Sequence, residues 1–333
     1  MEGTRQNWAA AGRLPEGLIY PDLVHSGLSE TLVQNTDAFN AASNGAIRLV
    51  PARRQGDFAQ ESFFKNATGL INRRDQTGSP QNPAVSSNPL PADEFVSVKL
   101  SRRIGPMDQT MNSFRKLGST PDLETLSFAL GEQVAKAQMV DWLDTALLCG
   151  ETAIAAQASL LNTTSPETTL TSARLVDALA LFGDAASRIV VWVMHSKAYY
   201  DLVKEQFAAN IDGVSNFNIA TATPVTLNRP VLITDSADLV NGSIYTSLGL
   251  TADSVVLEES EEPYIQNEII TGQENLIIRT QGEYAYNVKV KGHAWDVANG
   301  GVNPDDTALG TGTNWDSVMD NVKDLGGVAI QSL

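Results

Sequence analysis

The sequence predicts an α+β chain that carries a limb: a long two-stranded excursion, one unusually long helix, an α/β region and a closing set of strands. Three observations predict it. Two alternating strand patterns, near residues 47 and 97, are separated by about forty Pro-, Gly- and Asn-rich residues. A three- and four-residue apolar period runs from Leu123 to Leu147. Beyond it, short apolar runs alternate with amphipathic helices until the pattern changes to period two.

The elements follow in chain order. Residues 1–45 are rich in Asn, Ala and Ser, with scattered apolar anchors such as Trp8, Leu14, Leu18, Ile19, Tyr20 and Leu23. No sustained period precedes Ser29; from there a short helix with Leu32, Val33 and Phe39 is expected. So many large apolar side chains mark an arm that lies on something rather than a free tail. The opening stretch has no basic head followed by an apolar run, so it does not read as a secretory signal.

Residues 46–105 read as a long hairpin, with Ala46–Val50 and Phe95–Leu100 as its strands. Ordinary hairpin loops run about 2–5 residues. The connection here holds Pro80, Pro83, Pro89 and Pro91 and few large apolar residues (Phe58, Phe63, Phe64, Leu70, Ile71), so it builds no core of its own. It must rest on another surface. Phe63, Phe64, Leu70 and Ile71 are the expected apolar contacts; the doublets Arg53-Arg54, Arg73-Arg74 and Arg102-Arg103 are the expected charge partners.

Residues 119–149 give the clearest helix. Thr120 suits the cap, Pro121 the first helical position, and Asp122 and Glu124 the first turn, where the helix dipole favours acids. Gly150 is the expected stop. At about 1.5 Å per residue the helix is roughly 40 Å long, a spine. Leu170–Phe182 then reads as an amphipathic helix, Arg188–Met194 as a buried strand, Ser196–Phe207 as a helix and Arg229–Thr234 as a strand. Ile244–Leu250 and Ser254–Glu258 read as short strands. Residues 267–295 read as antiparallel strands turning at Gly272 and Gly282, with Tyr284, Tyr286, Val288 and Val290 on one face. The tail 299–315 is rich in Gly, Asn and Thr.

Charge is uneven. The 333 residues carry a net −16; residues 1–118 hold 13 Lys+Arg against 11 Asp+Glu, and residues 119–333 hold 10 against 28. Such acidity argues against gripping nucleic acid by neutralising phosphates. The asymmetry fits a limb of one copy lying on the body of another; on charge alone it fits better an acidic body that simply stays soluble. The densest acid run, Glu258-Glu259-Ser260-Glu261-Glu262, suits a solvated edge, a dock for arginines or a hard cation.

Residues for chemistry are sparse. His25, His195 and His293 show no metal-ligand spacing, and the single cysteine, Cys149, sits at a helix end without an evident base. No disulfide within the chain and no resident cofactor or metal are expected. Gly310-Thr311-Gly312 lacks the strand and helix that a phosphate-binding loop needs. Lys65-Asn66 offers the two partners of an isopeptide bond but no geometry for one.

The order arm, excursion, spine, α/β region and long strands resembles the major capsid protein of tailed bacteriophages, the HK97 fold. The wording of Val191–Gln206 (VWVMHSKAYYDLVKEQ), Arg229–Leu239 (RPVLITDSADL), Tyr245–Ser260 (YTSLGLTADSVVLEES) and Gly312–Ile330 (GTNWDSVMDNVKDLGGVAI) is similar to that of phage capsid proteins of this size. The resemblance implies an N-arm over 1–45, an E-loop over 46–105, a P domain with the spine helix over 106–159, an A domain over 160–262 and a P-domain return over 263–333. It implies a structural protein without enzymatic activity. Such a protein self-assembles through hexamers and pentamers into an icosahedral shell around double-stranded DNA, which it does not bind by sequence. Scaffolding, portal and decoration proteins are the implied partners, the scaffold separate because the chain opens at the arm. Assembly would occur in the host bacterial cytoplasm, away from membranes. An encapsulin-like shell around a cargo enzyme, and an α/β enzyme with an unrecognised site, are the competing readings.

Overall fold

A computed structural model describes residues 21–51, 56–65, 69–74, 76–78, 84–85, 87, 90–110, 123–163, 168–211, 226–272 and 274–333. Helix α1 spans Pro21–Ala42, well before the expected start at Ser29. Its buried face is Val24, Gly27, Leu28, Thr31 and Leu32. Gly27 and Thr31 occupy places where an apolar period needs large side chains, which is why the period is faint in the sequence. The glycine is there for proximity. A Cβ on Gly27 would come within 2.5 Å of the Phe128 carbonyl oxygen, and one on Gly131 within 2.2 Å of the Val24 carbonyl oxygen. The two helix backbones therefore cross in near contact.

That second helix is the spine, α2, Leu123–Ala155. The expected N-terminal cap at Thr120 and Pro121 lies outside the described residues. Gly150 does not end the helix, which continues through Ala155. A Cβ there would approach Val255 Cγ2 to 3.2 Å, so the glycine lets the helix lie close to the sheet. At about 1.5 Å per residue α2 is roughly 50 Å long.

The strands form two sheets. The first holds β1 (Ile47–Pro51), β2 (Phe58–Phe64), β3 (Ala92–Thr110), β9 (Val255–Ile270), β10 (Ile277–Val290), β11 (His293–Trp295) and β12 (Trp315–Ser317). β1 runs parallel to β9, from Ile47 opposite Val255 to Pro51 opposite Glu259. The pairing of 46–50 with 95–100 is thus corrected: the hairpin is β2 with the first part of β3, Phe58 opposite Val98 and Phe64 opposite Ala92. Alternation identifies a strand but not its partner. The rest of β3 pairs with β10, whose other edge pairs with β9.

β9 runs straight through the acid run that sequence placed after a short strand. Gly282 is no turn; it lies inside β10 at a register shift, where a Cβ would meet the Tyr264 carbonyl oxygen at 2.7 Å. The real turn is at Gly272, with φ +88°.

The second sheet runs β4 (Leu161–Asn162), β13 (Gly327–Ser332), β8 (Ile244–Thr251), β5 (Ile189–His195) and β6 (Val231–Thr234), with β7 (Val240–Asn241) on β8. Helices α3 (Ser172–Phe182) and α4 (Ser196–Ile211) belong to this region, and short helices α5 (Val297–Gly300) and α6 (Asp306–Leu309) precede β12. β13 lies in the second sheet, where Val328, Ala329 and Ile330 are fully buried between β4 and β8. A short apolar run names burial, not the sheet that supplies it. α2 touches both sheets, and its Trp142, Leu147, Cys149 and Ile154 sit in their shared core.

Candidate functional site

The limb is built on the β2–β3 hairpin. No residue of β2 is buried. Phe63 is half-buried, while Phe64 is 71% exposed, Leu70 69% and Ile71 96%. Val85 and Leu90 are also exposed. Large apolar side chains left in water on one excursion point to a surface that binds something. Arg73 and Arg74 stand exposed beside them with no ion-pair partner among the described residues. Arg53 and Arg54 lie outside the described residues.

The root of the limb is tied to the body. Lys65 Nζ is 2.7 Å from Asp93 Oδ2 and 3.6 Å from Asp320 Oδ1. The hydrogen bond to Asp93 holds the amine above its ordinary pKa, and the same bond holds Asp93 below its own. A charged, paired ammonium is no nucleophile, so Lys65 is a strut. Lys289 on β10 bridges Glu61 of β2 at 2.8 Å and Glu258 of β9 at 3.0 Å, and Lys99 on β3 reaches Glu261 at 2.5 Å.

These pairs show how two residues of the acid run are held within one copy. Glu258 is buried against Lys289 and Glu261 is paired with Lys99, both lysines of the same chain. In an extended strand, alternate residues face opposite sides, so the run is divided between two faces. Glu259 is half-buried and Glu262 exposed.

Arg102 too has partners within its own chain. It points inward, between β3 and the spine. Its Nη2 donates to Asp306 Oδ1 at 2.8 Å and to Thr145 Oγ1 at 3.1 Å, and its Nε lies 3.4 Å from Asp141 Oδ1. Tyr284 and Tyr286 donate to Asp141 Oδ2 at 2.7 and 3.0 Å. Burial works against the Arg102 charge, but Tyr286, Asp141 and Asp306 outweigh it and raise its pKa. Burial, then Asp141, raises both tyrosines. Arg103, its neighbour, faces solvent. Sequence reasoning missed this network; the only hint was that Asp141 and Thr145 recur on one side of the spine's period.

Cys149, the histidines and Asp305 have local packing or capping surroundings. Burial raises the Cys149 thiol and lowers His293 to about 4, with the His293 ring next to the Lys291 carbonyl. His195 accepts from the Lys197 amide at the start of α4, and His25 is exposed on α1. Asp305 caps α6. Among the described residues no group of three His, Cys, Asp or Glu side chains is placed to hold a metal. No described helix is long and apolar enough to cross a membrane.

A groove of about 490 Å³ lies between α1 and the β1–β9 edge of the first sheet. Leu28, Leu32, Leu49, Leu257 and Trp142 line it, and Glu259 and Glu262 stand at its side.

Comparison with known proteins agrees with this architecture. The family described as "Gp13-like: Major capsid protein 13-like" matches residues 18–329. No curated protein matches the chain significantly. Among solved structures, the chain is similar to the cyanophage Pam1 capsid, with TM-score 0.51 and 14% identity over 86% of this chain and 88% of that one. The capsid of Ralstonia phage GP4 gives TM-score 0.48 and 12% identity over 87% and 88%. At such identities the likeness concerns fold alone, and the first of the two carries it. The chain belongs to the major capsid protein 13-like family: it is a structural, non-enzymatic protein with an HK97-type fold that assembles into the icosahedral capsid of a bacteriophage virion.

Proposed function

We propose that copies of this chain associate as hexamers and pentamers into a shell around double-stranded DNA, each limb lying on the adjacent copy. Residues 1–45 serve as N-arm, 46–105 as E-loop, 106–159 and 263–333 as P domain, and 160–262 as A domain. β1 pairs with β9, and β13 pairs with β4 and β8. The single observation that carries the reading is the exposure of Phe64, Leu70 and Ile71 on an excursion that has no core of its own. Phe63, Phe64, Leu70 and Ile71 supply affinity, and Arg53, Arg54, Arg73, Arg74 and Arg103 supply steering. Weak contacts suffice because each copy makes many at once.

The net charge of −16 supports a container rather than a nucleic-acid reader. A wall that gripped phosphates would hinder packing and release. Portal, scaffolding and decoration proteins are the expected partners, and the host cytoplasm the place of assembly. Electron microscopy of the protein expressed alone and with its phage's other head proteins tests the reading. Capsomers or shells, with nuclease-resistant DNA in particles from infected cells, are expected. A monodisperse monomer under every condition, or shells filled with a cargo enzyme, overturns it.

A further inference from the structure

We propose that Asn241 is a site of self-modification, where the side-chain amide closes onto the following backbone nitrogen and leaves aspartate and isoaspartate. The proposal stands on the β7–β8 turn and needs no contact between copies.

The chemistry is local and balanced. The Gly242 nitrogen attacks Asn241 Cγ and a C–N bond forms. The Cγ–Nδ2 bond breaks, and ammonia leaves with the proton that the Gly242 nitrogen gives up. Water then adds to either carbonyl of the cyclic imide. Opening on one side gives aspartate, on the other isoaspartate, with no oxidant or reductant. The reaction is fastest when the next residue lacks a Cβ, when its N–H is free of hydrogen bonds and when the asparagine amide is free to turn.

Three places meet the first condition: Asn-Gly occurs at 44–45, 241–242 and 299–300. The structure separates them. Asn44 Nδ2 donates to the Val190 carbonyl at 3.2 Å, and the Gly45 amide donates to the Asn40 carbonyl at 3.0 Å. Asn299 Nδ2 donates to Asp296 Oδ2, and the Gly300 amide donates to the Asp296 carbonyl at 2.8 Å. Gly300 is also hemmed in, since a Cβ there would fall 2.1 Å from Trp295 Cζ2. At both places the attacking nitrogen and the amide are held.

At Asn241 neither is held. β7 ends there, opposite Ile244, and Gly242 and Ser243 form the turn. All three residues are exposed. Gly242 has φ +63°, and no atom lies within 4 Å of where its Cβ would be. Among the described residues neither the Asn241 side chain nor the Gly242 N–H has a hydrogen-bond partner. β7 is two residues long and pairs only with β8, so the turn is of the kind that opens locally. Each event turns a neutral side chain into an anion. Isoaspartate also adds one carbon to the main chain, and a two-residue turn has no slack for it, so the pairing of Val240 with Tyr245 should loosen.

Peptide mapping by mass spectrometry tests this. The folded protein is held in warm, mildly alkaline buffer beside the same chain unfolded in guanidinium chloride. Unfolded, the three asparagines should react at similar rates. Folded, each hydrogen bond that must first open slows the reaction by about two- to twelve-fold. Asn241 should therefore exchange its amide NH2 for OH about ten-fold or more faster than Asn44 and Asn299, which each have two such bonds to open. The rate should climb with pH, because the attacking nitrogen must lose its proton. An isoaspartyl methyltransferase should label the same peptide. In Asn241→Gln, whose longer side chain must close a larger ring, both signals should vanish. Folded-state reaction at Asn44 or Asn299 as fast as at Asn241 overturns the proposal. So does an Asn241 that reacts in guanidinium chloride but stays intact in the folded protein.

Discussion

Arg102 and Arg103 are chemically identical in the sequence and opposite in the fold. Successive residues of a strand face opposite sides, so a doublet on β3 cannot present both guanidinium groups to one partner. Arg102 enters a network with Asp141, Thr145, Tyr286 and Asp306. Arg102→Met leaves the half-buried Asp141 without its cation, and should lower unfolding free energy by about 2–3 kcal/mol, less than a fully buried pair because Arg102 is partly exposed. Urea denaturation of the unassembled protein measures it; a change no larger than that of Arg103→Met would remove the network from the account. His293 gives a pH prediction. Its folded pKa of about 4 lies below the ordinary 6.5, because burial disfavours the charged ring. The unfolded chain therefore takes the proton first as pH falls. Stability is intact above about pH 6.5 and declines toward pH 4, by a few kcal/mol in all at about 1.4 kcal/mol per pH unit. In His293→Gln, the loss in urea midpoint between pH 7.5 and 4.5 should be smaller than in the wild type; equal losses refute the assignment. Neither residue's role was legible in sequence, because burial and partners arise only when distant elements meet.

At the scale of elements, the α1–α2 crossing decides how the arm attaches. Ala is a better helix former than Gly by about 1 kcal/mol, so Gly131→Ala would stabilise an isolated helix. Here a Cβ would collide with the Val24 carbonyl oxygen at 2.2 Å and the Leu28 amide nitrogen at 2.8 Å. Overpacking of that kind costs about 1–3 kcal/mol, and the neighbours are backbone, which cannot rotate away. The net effect should be destabilising, with α1 loosened: faster amide exchange over residues 23–32 and a lower urea midpoint. A stabilised Gly131→Ala would show that the crossing is not close. The same residue type explains much of what sequence did and did not reveal. The spine was legible because its large apolar residues recur regularly; α1 was half legible because Gly27 and Thr31 interrupt the period. Gly150 and Gly282 read as a stop and a turn, but both are places of close approach inside continuous elements. The strands themselves were visible as alternation, whereas the β1–β9 pairing and the insertion of β13 between β4 and β8 depend on contacts far apart in sequence.

For the whole molecule, the division of labour between apolar contact and charge can be separated by experiment. The limb's exposed apolar residues, Phe64, Leu70 and Ile71, contribute nothing evident to the stability of a single copy, since water surrounds them. Leu70→Asp/Ile71→Asp should therefore leave the urea midpoint of the unassembled protein within about 0.5 kcal/mol of wild type, the ordinary range for surface changes. It should nevertheless abolish or sharply reduce particle formation by light scattering. Arg73→Glu/Arg74→Glu should behave differently. Charge acts mainly on the rate and register of encounter, and it is screened over about 10 Å at 0.1 M salt. Assembly of the wild type should slow as salt rises from low ionic strength, and the reversed pair should assemble slowly at low salt and lose that salt dependence or invert it. The two classes of variant thus give distinct signatures: loss of particles at any salt for the apolar pair, a changed salt profile for the arginines. If the arginine variant instead kept the wild-type rate and salt dependence, the basic doublet would have no part in recognition. The acidity of residues 119–333 would then serve solubility alone.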